Sequence, residues 1–188
     1  TPLFGTVTNV VGWNFDDDNA TADSGIPANS SKTISTTASG TPSYIAGLSG
    51  DCITNTGWDA GSGTKYWLID FVTTGYSGLT VSSKQRSSST GARDFKIQYR
   101  IGTGGTWTDV PGGNITVGND NYVTGVVSNL ALPSACDNQP QVFLRWIMTS
   151  NTSVNAGTVS GAGTSRMEDL SVDATTPFYV AGYDSLAV

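Results

Sequence analysis

The residues best suited to hold a ligand are carboxylates. Asp16, Asp17 and Asp18 stand in a run, Asn19 follows, and Asp23 lies in the same polar stretch. Their oxygens are the hard ligands that calcium takes. The stretch does not fit an EF-hand loop, which needs glycine at its sixth position and glutamate at its twelfth. Glu168 and Asp169 form a second acidic pair near the far end of the chain. If Leu170 and Val172 face a core, period-two parity puts Glu168 on the same inward side. A buried carboxylate needs a partner or a metal. One structural calcium, drawn from Asp16, Asp17, Asp18, Glu168 and Asp169, is therefore expected. The alternative is a solvated acidic loop, with Glu168 paired to Arg166 or Arg145.

Catalysis has little to work with. The chain has no histidine, which removes Ser-His-Asp triads, histidine acid–base chemistry and His-ligated zinc. No phosphate-cradling Gly-Lys-Ser/Thr loop occurs. Two carboxylates would suffice for a glycosidase, but nothing marks a pair across a cleft, and no enzymatic activity is expected. The two cysteines, Cys52 and Cys136, lie in polar, loop-like contexts. A disulfide between them is expected. It would contribute about 4–5 kcal/mol in the chain-entropy account. The alternative is two unrelated buried thiols.

Aromatic rings offer a further chemistry, since their faces stack on the apolar faces of sugars. Of the five tryptophans, Trp67 and Trp146 sit in the most apolar runs and Trp13 on an N-terminal strand, which makes them core. Trp58, in Thr-Gly-Trp-Asp-Ala-Gly, has a loop context. With Tyr44 and Tyr76 it is the candidate for a carbohydrate platform.

The elements that position these groups read as strands. Phe95–Ile101 alternates strictly, with Phe95, Ile97, Tyr99 and Ile101 on one side and Lys96, Gln98 and Arg100 on the other. Gly102–Gly105 and Thr106–Val110 continue it as a hairpin. Tyr66–Val72 and Val142–Met148 are nearly continuous apolar runs, which predicts central strands covered on both faces. Shorter strands are expected at Thr6–Phe15, Leu79–Ser83, Ile115–Val117 and Tyr122–Val127, and a closing strand at Ser165–Ala174. Asp16–Pro42 and Asn151–Thr164 read as long irregular segments. No segment has convincing helical periodicity. The fold class is all-β, an antiparallel β-sandwich with a C-terminal extension strand.

Charge is sparse, at 13% of residues, and nine basic side chains face fifteen acidic ones, a net charge of −6. That balance, without a basic cluster, argues against nucleic acid and anionic membrane as partners. No apolar run approaches the roughly 20 residues that span a bilayer. Ser, Thr, Asn and Gly dominate, and the chain begins at Thr1, as a processed, secreted chain would. A secreted or cell-surface location is expected.

Three segments together resemble a family of secreted jelly-roll modules found in multidomain surface proteins of Bacteroidetes-like bacteria. They are Gly78–Arg100, Gly105–Val110 (Gly-Thr-Trp-Thr-Asp-Val) and Gly163–Val172 (Gly-Thr-Ser-Arg-Met-Glu-Asp-Leu-Ser-Val). The family's closing strand usually reads Arg-Ile-Asp-Asp/Asn-Ile-x-Val, and Arg166–Val172 departs from it conservatively. The resemblance covers roughly residues 10–174 and implies a jelly roll similar in architecture to carbohydrate-binding modules. It implies a structural calcium near the first and last strands, and Trp107 matches a family position after the hairpin. Such modules are often followed by a fibronectin-type-III-like domain, and Pro177–Val188 looks like that domain's first strand.

Residues 1–174 are thus expected to form the sandwich, and 175–188 a linker and an extra strand. The tail carries Phe178, Val180, Tyr183, Leu186 and Val188, with no domain of its own to bury them. An open sheet edge of a neighbouring copy would take such a strand, and head-to-tail donation that does not close produces filaments. Two functions follow. One is a non-catalytic extracellular building block that self-assembles by strand donation. The other is a calcium-stabilised module that binds polysaccharide.

Overall fold

The computed structural model describes residues 7–177. In chain order the strands are β1 (Thr8–Trp13), β2 (Ser24–Gly25), β3 (Ser35–Thr36), β4 (Ser43–Ala46), β5 (Asp51–Asn55) and β6 (Tyr66–Phe71). There follow β7 (Tyr76–Ser87), β8 (Asp94–Ile101), β9 (Thr108–Thr116), β10 (Val126–Ala131), β11 (Val142–Met148) and β12 (Ser165–Pro177). Two short 3-10 turns, Pro27–Asn29 and Ser134–Cys136, are the helical content among the described residues. None of it is long and apolar enough to cross a membrane.

The strands form two antiparallel sheets. One has the order β10-β7-β12-β1-β2, with β5 also pairing β12 and β4 pairing β5. The other has the order β3-β6-β11-β8-β9. The expected antiparallel β-sandwich is the fold found. Alternation builds it: along β7 every second residue from Leu79 to Ser87 is buried. Leu79, Val81, Met167, Leu170 and Val172 of one sheet join Trp67, Ile69, Phe71, Phe95, Ile97, Leu144 and Trp146 of the other in a single core cluster. Trp13, Trp67 and Trp146 are core, as expected.

Three expectations need correction. The first is the linker: Thr175–Pro177 continues β12, with Thr176 opposite Ser77 and Pro177 opposite Tyr76. The assembly residues Phe178, Val180, Tyr183, Leu186 and Val188 lie outside the described residues.

The second is the disulfide. Cys52 and Cys136 are free, buried thiols. Strand β12 is a ruler that shows why. Cys52 adjoins Ile53, which pairs with Met167. Near Cys136, Asn138 donates its amide to the carbonyl of Tyr76, which pairs with Pro177. At about 3.3 Å per residue the two thiols stand roughly 20–30 Å apart, far beyond the ~7 Å limit between bridgeable Cα atoms. Burial pushes the Cys136 thiol up to about 12, with Asp137 adding to the rise. Burial raises Cys52 as well. Thiolate is the reactive form, so both cysteines should resist alkylation in the native protein. Unfolded without reductant, the chain should take up an alkyl group at each. Mass spectrometry that found a linked Cys52–Cys136 peptide would overturn this.

The third concerns Tyr66–Val72; Val142–Met148 is buried on both faces as expected, apart from the half-buried Arg145. Strand β6 alternates between buried and half-buried residues, so it has one core face only. The second face of β6 and β11 has no sheet over it. What lies on that face is the site.

Candidate functional site

The acidic residues order backbone turns. Asp23 Oδ2 accepts the amides of Asn14 at 2.7 Å and Phe15 at 3.1 Å. Asp16 Oδ1 accepts the amide of Asp51 at 2.9 Å. Asp17 accepts from the Asn19 side chain, and Asp18 takes a left-handed φ of 56°. Asp169 pairs with Lys84 at 2.6 Å.

Glu168 is fully buried, but not where parity put it. A bulge between Glu168 and Ser171 sets Asp169 and Leu170 of β12 against Ser83 of β7. Asp169 sits at its centre with a φ of 46°. The extra residue reverses the alternation, so Met167 and Leu170 both reach the core while Glu168 shares the outer row of Lys84. The turn between β4 and β5 covers it. Its carboxylate accepts the Leu48 amide at 2.8 Å and the Ser49 amide at 2.7 Å. A Cβ on Gly47 would stand 2.7 Å from Glu168 Oε2, so this close approach requires glycine.

Among the described residues no group of three or more acidic, histidine or cysteine side chains converges on a point. Calcium takes about six to eight oxygens. Asp16, Asp17, Asp18, Glu168 and Asp169 do not converge on such an ion as they are placed: Asp16, Asp17 and Glu168 accept from amides, and Asp169 pairs with Lys84. Arg166 and Arg145 are not the partners of Glu168 either.

The carbohydrate candidates separate too. Trp58 is 0% exposed. Its Nε1 donates to the carbonyl of Asn55 at 2.9 Å, and its ring meets Trp67 at 5.3 Å and Phe95 at 5.8 Å. A loop sequence context hid a core residue. Tyr44 lies half-buried against Phe15. Tyr76, also half-buried, begins β7 at the other end of β12. The three form no common surface.

A common surface exists elsewhere, on the outward face of the five-stranded sheet. Register sets its side chains in cross-strand rows. Asp70, Phe143 and Arg100 form one row, Leu68, Arg145 and Gln98 the next, and Tyr66, Ile147 and Lys96 the third. Asp109 extends the second row beside Gln98. The hairpin after β8 adds Trp107. A Cβ on Gly105 would stand 2.3 Å from the carbonyl oxygen of Ile101, so glycine lets this turn close tightly. The chain then swings Trp107 back over the sheet.

Three rings and two guanidiniums interlock there. Trp107 stands 6.5 Å from both Tyr66 and Phe143. The Arg100 guanidinium lies 4.7 Å from the Trp107 ring centre and 4.4 Å from that of Phe143. The Arg145 guanidinium lies 4.1 Å from Trp107 and 5.0 Å from Tyr66. Such contacts each contribute about 0.5–2 kcal/mol and hold the flexible arginines in place. Gln98 accepts from Arg145 Nε at 2.8 Å and Nη2 at 2.6 Å, and donates to Asp109 at 2.6 Å. Hydrogen bonds from Gln98 and Lys96 hold the Asp109 carboxyl below its usual range. Burial draws Arg145 below its ordinary value, and Arg100 pulls the same way while Tyr66 opposes. A shallow groove runs beside them, lined by Ser62, Lys96, Gln98, Arg145, Ile147 and Thr149.

None of these residues was a sequence candidate for binding. The signal was there in part: Lys96, Gln98 and Arg100 are the wet side of the best alternating strand. The surplus of apolar residues in Tyr66–Val72 and Val142–Met148 lies under this platform, where Phe143 and Ile147 are buried while Tyr66 and Leu68 are half-buried.

No protein-family model matches the sequence, and no curated protein matches it. Several solved structures are similar. A cleaved adhesin domain of Lys-gingipain from Porphyromonas gingivalis is 12% identical, with a TM-score of 0.49, over 90% of this chain and 99% of that one. The N-terminal cellulose-binding domain of a β-1,4-glucanase from Cellulomonas fimi is 10% identical, with a TM-score of 0.45, over 77% and 90%. A xylanase from Cellvibrio japonicus in complex with xylopentaose is 15% identical with a TM-score of 0.43. The match to it covers 80% of this chain and spans 28% of the xylanase.

Proposed function

We propose that this chain is a non-catalytic extracellular module that binds a glycan on the outward face of its five-stranded sheet. The observation that carries the reading is the arrangement of the half-buried Tyr66 and Trp107, backed by the buried Phe143, beside Gln98, Asp109 and the two arginines. Rings supply apolar faces for pyranose C–H groups, and the fixed polar groups among them select hydroxyl positions. The strands are rigid and the side chains are held by one another before any ligand arrives, which lowers the ordering cost of binding. A composition rich in Ser, Thr, Asn and Gly supports a place outside the cell. Self-assembly through a donated strand would fall on residues 178–188, and no observation among the described residues favours it over glycan binding.

Affinity electrophoresis of the full chain against neutral and acidic polysaccharides tests the reading. At least one is expected to retard the protein. Trp107→Ala should weaken that binding at least tenfold, about 1.4 kcal/mol. Its melting temperature should fall less than that of a core tryptophan variant, because the ring is only half-buried. Retardation that Trp107→Ala leaves unchanged would remove this face from the function.

A further inference from the structure

We infer that the glycan bound on this face is a uronate polymer, whose carboxylates are met by Arg100 and Arg145. The inference rests on the glycan-binding reading and names the substrate class of the same site.

The chain as a whole is acidic, with fifteen carboxylate side chains against nine basic ones. Such a protein has carboxylates to spare for its cations, and it uses them. Lys32, Lys65, Lys84, Arg93 and Lys96 are each paired with an aspartate. On the outward face of the five-stranded sheet the two nearest carboxylates are already engaged: Asp70 with Lys32, and Asp109 with Lys96. Arg100 and Arg145 form no ion pair among the described residues, and Asp109 acts on Arg145 only across Gln98. Rings hold both, Gln98 and the Tyr66 side chain bond Arg145, and Arg100 Nε has no hydrogen-bond partner.

Two like charges gathered on one indole, inside an acidic protein, form a local positive focus. Bringing them together costs free energy unless an anion joins them. Arg86 and Arg166 are neighbours on the other sheet, but Glu168 lies in the next outer row there, and Asp120 also faces Arg86. On the five-stranded sheet the carboxylate that acts on Arg145, Asp109, is shared with Lys96, which leaves the two arginines with less compensation. A guanidinium matches a planar carboxylate with two parallel hydrogen bonds. Ring faces beside it receive the sugar that carries the carboxylate. A uronate polymer supplies both groups in every residue, whereas a neutral glucan would bring the two cations no counter-charge.

The test uses the full chain with polygalacturonate and with its methyl ester, which keeps the sugar and removes the charge. Titration calorimetry should show at least tenfold tighter binding to the acid than to the ester. Binding to the acid should weaken steeply towards 1 M salt, where the screening length falls to about 3 Å. Arg100→Gln and Arg145→Gln should each weaken it at least tenfold. Arg145→Lys, which keeps the charge but loses the fork, should lie between wild type and Arg145→Gln. Thermal melts will show whether each variant is folded. Equal or tighter binding of the ester or of a neutral glucan, lost in Trp107→Ala, would overturn the uronate class while the binding face stood. Tighter binding of dextran sulfate than of polygalacturonate would overturn the carboxylate assignment in favour of sulfate. Uronate binding that both Gln variants leave intact would place the contact elsewhere and overturn the inference. Failure to bind any of these polymers, charged or neutral, would overturn it together with the glycan-binding reading.

Discussion

Replacing Trp58 by alanine is expected to destabilise the fold by about 3–5 kcal/mol. For a domain of this size that corresponds to a fall in melting temperature of about 6–20 °C. The indole is 0% exposed and closes the core between Trp67 of β6 and Phe95 of β8. Ring pairs of this kind add about 0.5–1.5 kcal/mol each beyond area burial. Alanine would leave a cavity that two neighbouring strands cannot collapse to fill without giving up their register. Trp58→Phe separates the two contributions. It keeps most of the packing but orphans the Asn55 carbonyl that Nε1 now satisfies, at a cost of about 1–3 kcal/mol. Denaturant unfolding measures both variants. Any glycan binding that wild type shows should persist in the folded fraction of Trp58→Ala. Loss of binding without loss of stability would return Trp58 to the binding surface.

Much of the fold was legible because the sandwich obeys period-two alternation. Strand β11 coincides with the apolar run Val142–Met148, and β8 with the alternating run that ends at Ile101. The hairpin of β4 and β5 was missed. Its residues, Ser-Tyr-Ile-Ala and Asp-Cys-Ile-Thr-Asn, are too polar to announce strands. Long-range pairing with β12 supplies their burial instead. The bulge at Asp169 was also hidden. A single inserted residue exchanges the two faces of a strand, and alternation read from sequence assumes that none occurs. The proposed binding face was hidden for a related reason. Each of its rows draws side chains from β6, β8 and β11, which are distant in sequence, so only register brings them together. Trp58 shows the converse, a residue flanked by turn-formers whose loop folds inward over the core.

Glu168→Ala should destabilise the protein by about 2–4 kcal/mol, the second largest effect expected. The carboxylate is the shared acceptor for the Leu48 and Ser49 amides. Hydrogen bonds to a charged group contribute about 1.5–3 kcal/mol. Both amides belong to the turn that joins β4 to β5. Its next residues are held by a second carboxylate, since Asp16 accepts the amide of Asp51. Two acids that suggested an ion in the sequence thus clamp one turn from its two sides. Without Glu168 the turn would lift, and the β4–β5 hairpin would be left with its own ladder, the pairing of β5 with β12 and the Asp16 contact. Hydrogen exchange should therefore speed up at Leu48 and Ser49 before it does in β7. Glu168→Gln retains one carbonyl acceptor but presents an amide group towards another N–H, so it should fall between alanine and wild type. Unchanged protection of Leu48 and Ser49 in Glu168→Ala would end the clamp reading. A melting temperature that calcium raises in wild type but not in Glu168→Gln would make Glu168 an ion ligand. If calcium leaves both unchanged while the hairpin loosens in the variants, the side chain of Glu168 occupies the structural place that the sequence had reserved for a metal.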